Sequence, residues 1–361
     1  MNYFIAFCDE RSAIYNSYRG MERVLIEDGV EACFFIPGSE DSGKAFFYNL
    51  RHPFLTVKSL IRLVRHFQGQ VKKSDNLVIF NQGIFGFVFL MILLWGGVKL
   101  NVIQWSHEPF QFSRVGFLRG LYYFFSDSVV SFFVGKVVVS SNELVPIAKR
   151  IYRSKTFVVD LPMSFDFSSV DFRFDEIEDP RDNFLILFFG GINSYKNLDA
   201  LAKASEPLLQ EGVPLAITML GVGDLEADFP IMKDLCIRFE VVCHKPKYFE
   251  ASEIVSYLKK SSALYVNYKS VTATSQIDIA NYFGVPVIVS DLPYFKEKVV
   301  HGVNGWIVRD DGELAVLLRN ILSGEDAFKL SRRTVKDYNE RCGANLRFRN
   351  NFYPVLFGGV S

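Results

Sequence analysis

The chain has few cysteines, and their arrangement builds no recognisable site. The five are odd in number and scattered in mostly apolar, strand-like runs, as Cys8, Cys33, Cys236, Cys243 and Cys342. No CxxC pair and no cluster of His and Cys occurs, so a structural zinc ion has no candidate ligands. This pattern predicts buried thiols in a reducing compartment rather than a disulfide framework. We therefore expect no metal site.

The chain also lacks a net charge and a targeting signal. Its 40 Lys and Arg balance 40 Asp and Glu, which argues against a nucleic-acid partner. The halves differ, because residues 1–160 carry 18 bases against 13 acids, net +5, and the rest carries 22 against 27, net −5. We expect the basic half to face an anionic partner. The first residues have no basic n-region and no cleavage site, which predicts a first strand and a cytoplasmic protein.

Alternating strand-like and helical stretches predict an α/β chain with two domains. Tyr3–Cys8, a helical period over Ser12–Asp28, and Ala32–Ile36 form a βαβ unit, which implies a parallel sheet. A Phe-, Ser- and Asp-rich stretch without periodicity precedes a second α/β series that begins at Phe184. The predicted parts are a first domain at residues 1–160, a linker at 161–183, a second domain at 184–340, and a C-terminal helix at 341–361 that packs back on the first domain.

Two neighbouring stretches of the first half favour contact with a membrane. Arg51–Lys73 contains six bases and no acid, and its helical period puts Lys58, Arg62 and Arg65 on one face. A basic amphipathic helix is typical of a protein that binds an anionic membrane surface. Gly83–Val98 is a sixteen-residue apolar run, shorter than the roughly 20 residues of a membrane span. We favour a helix buried against its sheet over insertion, and such a helix at the domain rim can also expose one apolar side to lipid.

Polar residues cluster at the predicted carboxyl ends of strands, where open parallel sheets collect ligands. In the first half, the strand Asn101–Trp105 leads directly into His107 and Glu108. In the second half, Gly190 and Gly191 are followed by Lys196 at the mouth of a helix, a grip for phosphate.

The stretch Ala263–Asp291 predicts strand, polar loop, short helix and strand. Its loop Ser270–Gln276 places hydroxyls and an amide before helix N–H groups that lack internal partners, which suits an anion. Ordinary helix capping is the alternative. Gly221 and Gly223 lack the third glycine of a dinucleotide fingerprint, so NAD binding has little support.

In order and spacing, these motifs resemble the donor domain of GT-B glycosyltransferases. The matching segments are Phe188–Gly190, Tyr195–Asn197, Gly221–Gly223, Thr274–Ser275, Gly284–Asp291, Glu297, Gly302 and Asn304–Gly305. The first half matches only in its strand–helix pattern and in His107, where such enzymes often place an active-site histidine. The resemblance implies two Rossmann-like parallel-sheet domains facing a cleft.

The resemblance also implies a donor, an acceptor and a set of site residues. The donor would be a UDP- or GDP-linked sugar used as a substrate, with no cofactor, and a cation with helix-end N–H groups would stabilise the diphosphate leaving group. The implied catalytic residues are His107, Glu108 and Lys196. The implied donor-binding residues are Gly190, Gly191, Asn193, Tyr195, Lys196, Gly221, Gly223, Tyr268, Thr274, Ser275 and Gln276.

The sequence departs from the family pattern at two places. Where members often add an arginine, this chain has Gly191–Asn193, and the family's two glutamates fall at Val271 and Ile279. Ser270 and Asp278 keep the spacing of that pair but lie one residue away. The stereochemistry of transfer therefore stays open.

An inverting reaction would need a carboxylate of the first domain as base, for which Glu108 is the first choice, with Asp9 and Glu10 as rivals. The preferred function is transfer to a glycan acceptor, lipid-linked at the inner face of the cell membrane, in surface polysaccharide biosynthesis. The alternative is a catalytically silent GT-B-like subunit that binds a nucleotide or a partner protein.

Overall fold

The chain forms two compact units. Unit 1 comprises Met1–Ser164 and Ala344–Ser361, and unit 2 comprises Phe165–Gly343. Unit 1 thus contains both ends of the chain. The computed structural model describes residues 1–7, 13–37, 45–46, 53–80, 83–98, 100–106, 133–152, 154–163, 184–271, 273–325 and 330–358.

Unit 1 is built on a seven-stranded parallel sheet in the order β3-β2-β1-β4-β5-β6-β7. Its strands are β1 (Asn2–Ala6), β2 (Ala32–Pro37), β3 (Ala45–Phe46), β4 (Asn76–Phe80), β5 (Asn101–Trp105), β6 (Lys136–Val139) and β7 (Lys155–Val158). All five residues of β1 are buried. A parallel strand covered on both faces reads as such a continuous apolar run.

Helices cover both faces of this sheet. The helices of the first part of unit 1 are α1 (Ala13–Glu27), α2 (Pro53–Gln70), α3 (Gly83–Trp95) and α4 (Val145–Ile151). One core contains Phe67 of α2, Phe89 of α3 and Ala148 of α4, whereas α1 contributes Tyr18 and Leu25 to the core on the other face. The prediction that the apolar run forms a helix against its sheet is confirmed.

Unit 2 has a six-stranded parallel sheet in the order β10-β9-β8-β11-β12-β13. Its strands are β8 (Phe184–Phe189), β9 (Leu215–Leu220), β10 (Val242–Lys245), β11 (Ala263–Val266), β12 (Val287–Ser290) and β13 (Gly305–Val308). Its helices are α5 (Leu198–Gln210), α6 (Leu225–Asp228), α7 (Pro230–Arg238), α8 (Ala251–Lys260), α9 (Gln276–Tyr282), α10 (Pro293–Lys298), α11 (Asp311–Leu322) and α12 (Arg332–Cys342).

The last helix, α13 (Ala344–Phe357), belongs to unit 1. Phe348 and Phe352 of α13 pack against Trp105 of β5, with ring centroids 6.2 and 5.1 Å away. Arg347 donates to Asp160 at 2.6 Å, and Arg349 donates to Asp28 at 2.6 Å. Through these contacts α13 packs on the same face of the first sheet as α1 and completes the cover of that face.

Helices α2 and α3 present a surface that is both basic and apolar. Lys58, Arg62 and Arg65 of α2 are exposed, so the predicted basic face is confirmed. Phe54 of α2 is 88% exposed and Trp95 of α3 is 93% exposed. Across the described residues, no helix has the length and apolar character needed to cross a membrane.

The predicted elements at Ala263–Asp291 are confirmed as β11, a loop, α9 and β12. The β-prone stretch Arg238–His244 predicts a strand, and the structure has this strand at Val242–Lys245, with a later start because α7 continues to Arg238. The Arg238 guanidinium donates to Asp234 one helical turn earlier at 2.7 Å, which stabilises that last turn.

The predicted burial of the thiols is correct only in part. The four cysteines that the structure describes are half-buried, and none of them forms a disulfide. Cys243 lies in β10, an edge strand of its sheet, which leaves one side of the strand uncovered. Burial raises the pKa of Cys236 to about 11, so this thiol stays protonated and unreactive at neutral pH.

Candidate functional site

Two glycine turns pack backbone to backbone at the carboxyl ends of β8 and β9. The Gly190 N–H donates to the Leu220 carbonyl at 2.9 Å, and the Ile192 N–H donates to the Val222 carbonyl at 2.8 Å. A Cβ on Gly221, whose φ is +145°, would lie 2.0 Å from the Gly190 oxygen. Only glycine allows this approach, so this part of the sheet edge is left without side chains.

Lys196 ends a short 3-10 helix over Ser194–Lys196, just before α5. Its backbone turns sharply there, because Asn197 has a φ of +54°. The lysine side chain is nearly enclosed, with 7% of the residue exposed. Its Nζ lies 3.7 Å from the ring centroid of Tyr268 and 4.8 Å from that of Tyr195. A lysine in a polar turn at the mouth of a helix would be expected to be exposed, but these two rings cover Lys196.

The enclosure changes the proton affinity of Lys196. Burial lowers the pKa of its ammonium from 10.5 to about 7. No carboxylate among the described residues forms an ion pair with it to offset the loss of water. The ring faces attract the cation, but neither carries a full negative charge. The site therefore holds a cation that an incoming anion would stabilise.

Gln276 joins the turn after β8 to the loop after β11. Its Nε2 donates to the Phe189 carbonyl, and its Oε1 accepts from the Tyr268 hydroxyl. The Thr274 hydroxyl donates to the same Oε1 at 3.4 Å. Tyr268 and Gln276 were predicted to contact a donor, and the structure shows them buried and bonded to each other. The Tyr268 ring lies beside Lys196, and Gln276 holds the Tyr268 hydroxyl.

The loop before α9 is held from the side of α10. The Tyr294 hydroxyl accepts from the Thr274 N–H and donates to the Thr274 carbonyl, both at 3.0 Å. Ser275 occupies the N-cap position of α9, but within this described turn its side chain makes no capping hydrogen bond. The neighbouring Thr274 hydroxyl accepts from the Gln276 N–H at 3.3 Å, so capping of α9 stays an alternative role for this loop. Asp278 is buried in the first turn of the helix.

Three further predicted donor residues, Gly191, Asn193 and Tyr195, lie in the turn between β8 and α5. Gly223 follows β9, and a Cβ there would lie 2.5 Å from the Ile192 oxygen. Gly191 is exposed, Asn193 is half-buried, and the Lys196 N–H donates to the Asn193 carbonyl at 2.9 Å. Tyr195 meets Tyr268 edge to face, with ring centroids 5.7 Å apart. The three turn residues thus surround Lys196.

The sequence analysis missed two basic residues at this edge of unit 2. His244 lies at the end of β10 with its Nε2 2.9 Å from the Gly221 carbonyl. Lys245 follows, and its carbonyl accepts from the Gly221 N–H at 3.1 Å. Their position at the end of a predicted strand was the sequence signal that could have identified them.

The residues expected from the first domain, His107 and Glu108, lie outside the described residues, as do the rivals Asp9 and Glu10. Their roles stay predictions. In the described part of the chain, no group of three or more His, Cys, Asp or Glu side chains is placed to hold a metal ion.

Comparison with known proteins agrees with this geometry. Residues 183–324 match the family described as Glycosyl transferases group 1. No curated protein matches the sequence.

Three solved structures resemble nearly the whole chain. Alr3699/HepE of Anabaena, crystallised with UDP, superposes with a TM-score of 0.68 at 13% identity, covering 99% of this chain and 100% of that one. The lipopolysaccharide outer core galactosyltransferase WaaB gives a TM-score of 0.68 at 14% identity, with 99% of each chain covered. The α,α-trehalose 6-phosphate synthase of Burkholderia multivorans gives a TM-score of 0.63 at 10% identity, covering 99% of this chain and 96% of that one.

These identities are low, so the structural likeness establishes the fold, and the family match adds the nature of the second domain. The prediction of two Rossmann-like parallel-sheet domains is confirmed. The chain has the GT-B fold, and its residues 183–324 match the glycosyl transferases group 1 family.

Proposed function

We propose that the protein is a metal-independent glycosyltransferase that takes a hexose from a UDP- or GDP-linked donor. One observation carries the proposal: Lys196 is buried beside the glycine turns with no carboxylate partner among the described residues. Sugar transfer leaves negative charge on a nucleoside diphosphate, and a preorganised cation stabilises such a leaving group. The family domain supports this reading, as do the UDP and UDP-glucose complexes of HepE.

The reaction breaks the bond between the anomeric carbon and a diphosphate oxygen and forms a bond to an acceptor hydroxyl. In our proposal Lys196 pairs with the departing diphosphate, so its positive charge takes the place of a metal. Gly191 is exposed in the same turn, and because it has no side chain the backbone there can approach the same anion. A base must accept the acceptor's proton if the reaction inverts, and Glu108 keeps that predicted role beside His107.

A second candidate is a catalytically silent subunit that binds a nucleotide. The observation in its favour is that Val271 and Ile279 stand where the family has glutamates. Purified protein incubated with radiolabelled UDP- and GDP-sugars, with and without bacterial membranes, separates the two. We expect release of UDP or GDP and label in the lipid fraction. Nucleotide binding without release would support the silent subunit, and no binding would refute both.

We also propose that the acceptor is a lipid-linked glycan of surface polysaccharide biosynthesis, reached from the inner face of the cell membrane. Supporting this are the exposed bases Lys58, Arg62 and Arg65 and the exposed rings of Phe54 and Trp95. Each base near an anionic leaflet contributes about 1 kcal/mol, so three contribute about 3 kcal/mol, enough for reversible attachment. Aromatic side chains partition to the membrane–water interface.

Sedimentation with vesicles of anionic lipid tests the attachment. We expect binding at low salt and release at high salt, because exposed charges are screened within about 8 Å at physiological ionic strength. The triple change of Lys58, Arg62 and Arg65 to Gln should abolish it. The control variant loses the same charge in unit 2, by changing Lys203, Lys260 and Arg333 to Gln. It should bind the vesicles as the wild type does.

Two other outcomes of the vesicle experiment refute the proposal. Release only by detergent would favour insertion of Gly83–Val98 instead of surface attachment. Absence of binding at every salt concentration would leave α2 as an ordinary solvated face.

A further inference from the structure

Lys196 lies between aromatic rings that are themselves held in place. The Tyr268 ring forms the nearer wall, with its centroid 3.7 Å from Nζ, and Tyr195 forms the other. Tyr268 is fixed from three elements of unit 2. The Tyr268 hydroxyl donates to the Gln276 side chain of α9, which in turn donates to the Phe189 carbonyl of β8. The Tyr268 carbonyl accepts from the Ser290 hydroxyl of β12 at 2.6 Å.

The groups that face the Lys196 amine carry no formal charge at neutral pH. They are the phenols of Tyr195 and Tyr268, with Tyr294 of α10 behind Tyr268. Burial raises the pKa of Tyr268 well above its usual value, so this phenol stays neutral. Among the described residues, no acid or base acts on the Lys196 amine, whose lowered pKa of about 7 arises from burial.

We propose that Tyr268, held by Gln276, sets the charge state of Lys196, and that a nucleoside diphosphate binds at this site together with a proton. The proposal rests on the proposed function, because it takes the site to be the diphosphate site. Near neutral pH the free protein holds both the amine and the ammonium form. A diphosphate supplies the negative charge that the surroundings lack, so it favours the ammonium form and draws a proton onto the lysine. Tyr268 and Gln276 act through Lys196 and are positioning residues.

Titration calorimetry with UDP and with GDP, in pairs of buffers with different heats of ionisation, measures the proton directly. A free lysine with a pKa of about 7 that is fully protonated when bound takes up about 0.5 protons at pH 7 and about 0.9 at pH 8. Affinity should fall about tenfold per pH unit between pH 7.5 and 9. The terminal phosphate, with a second pKa near 6, is already ionised across this range.

The outcomes separate this inference from the proposed function. Binding of UDP or GDP with no proton uptake and with constant affinity from pH 7 to 9 would overturn the inference alone. If neither nucleotide binds at any pH, the diphosphate site itself is refuted, and the inference with it.

Three variants assign the effect to named groups. Lys196→Arg keeps its proton at every pH used, so proton uptake should disappear and affinity should become flat with pH. Tyr268→Leu removes the attraction of the ring for the cation and should lower the midpoint of the pH profile by about one unit. Tyr268→Phe keeps the ring but loses the hydroxyl that Gln276 holds, so its midpoint should shift less than that of Tyr268→Leu.

A merely structural role of Tyr268 would give a different result. It would weaken binding by the same factor at every pH and leave the midpoint unchanged in Tyr268→Leu. That result would overturn the role of the ring even if Lys196 itself takes up a proton.

Discussion

Replacing Lys196 by methionine should stabilise unit 2 while abolishing binding at the proposed diphosphate site. Methionine keeps an unbranched side chain of similar length and removes the amine. In the wild type, the pKa of this amine is about 7 in the folded chain against 10.5 as the ordinary value. Between these two values the unfolded chain binds more protons, so the unfolding free energy rises with pH and is lowest below pH 7.

The magnitude follows from the difference of about 3.5 pKa units. At about 1.36 kcal/mol per unit, the buried ammonium lowers the unfolding free energy by about 5 kcal/mol below pH 7, an upper limit. At pH 9 the buried amine still lowers the unfolding free energy by about 2 kcal/mol. We therefore expect Lys196→Met to be more stable than the wild type at pH 6. This difference in unfolding free energy should be about 3 kcal/mol smaller at pH 9 than at pH 6.

Urea unfolding at pH 6 and pH 9 measures this difference. Fluorine NMR of protein labelled with 5-fluorotryptophan resolves the two units, because Trp306 lies in unit 2 and both Trp95 and Trp105 lie in unit 1. Other titrating groups are common to both proteins and cancel in the comparison. A variant less stable than the wild type at pH 6, or a difference that does not change with pH, would refute the reasoning.

Two further predictions concern the turns and the loop around the site. Gly221→Ala should destabilise unit 2 by about 3 kcal/mol or prevent its folding, because the new Cβ would meet the Gly190 oxygen at 2.0 Å. Gly212→Ala, at a φ of +72° with no atom within 4 Å, should cost only about 1–2 kcal/mol, and equal losses in urea unfolding would contradict the packing argument. The double variant Thr274→Val and Ser275→Ala should weaken UDP or GDP binding at least about fivefold by calorimetry, at about 1–3 kcal/mol for lost contacts to a charged group. Unchanged affinity would return that loop to a role in helix capping.

The sequence predicted the sheets well, because their signals are local. The apolar run at Ala263–Val266 and the glycine before Val287–Ser290 mark two buried strands, and the short helix between them leaves only a parallel pairing. The same reasoning failed at Arg238, where a favourable pair with Asp234 extends a helix into a stretch that looks β-prone. Local preference there yields to side-chain contacts.

The environment of Lys196 could not be predicted from its neighbours in sequence. Ser194-Tyr195-Lys196-Asn197 reads as a polar turn. Lys196 is enclosed because the fold brings Tyr268, from the loop after β11, onto the amine together with the neighbouring ring of Tyr195. Gln276 shows the same limit, since its contact with Phe189 joins residues distant in the chain. The motif singled out Lys196, while the burial of its side chain depends on tertiary packing.

The transfer rate of Lys196→Ala tests the central claim most directly. Removing one contact that stabilises transition-state charge costs about 2.7–4 kcal/mol, so transfer from the donor to membrane lipid at pH 6.5 should fall to about a hundredth or less of the wild-type rate. Lys203→Ala, an exposed lysine on α5, is the matched control and should keep the wild-type rate. Circular dichroism should show both variants folded. A Lys196→Ala protein that retains more than roughly a tenth of the wild-type rate would contradict the placement of the diphosphate at this lysine.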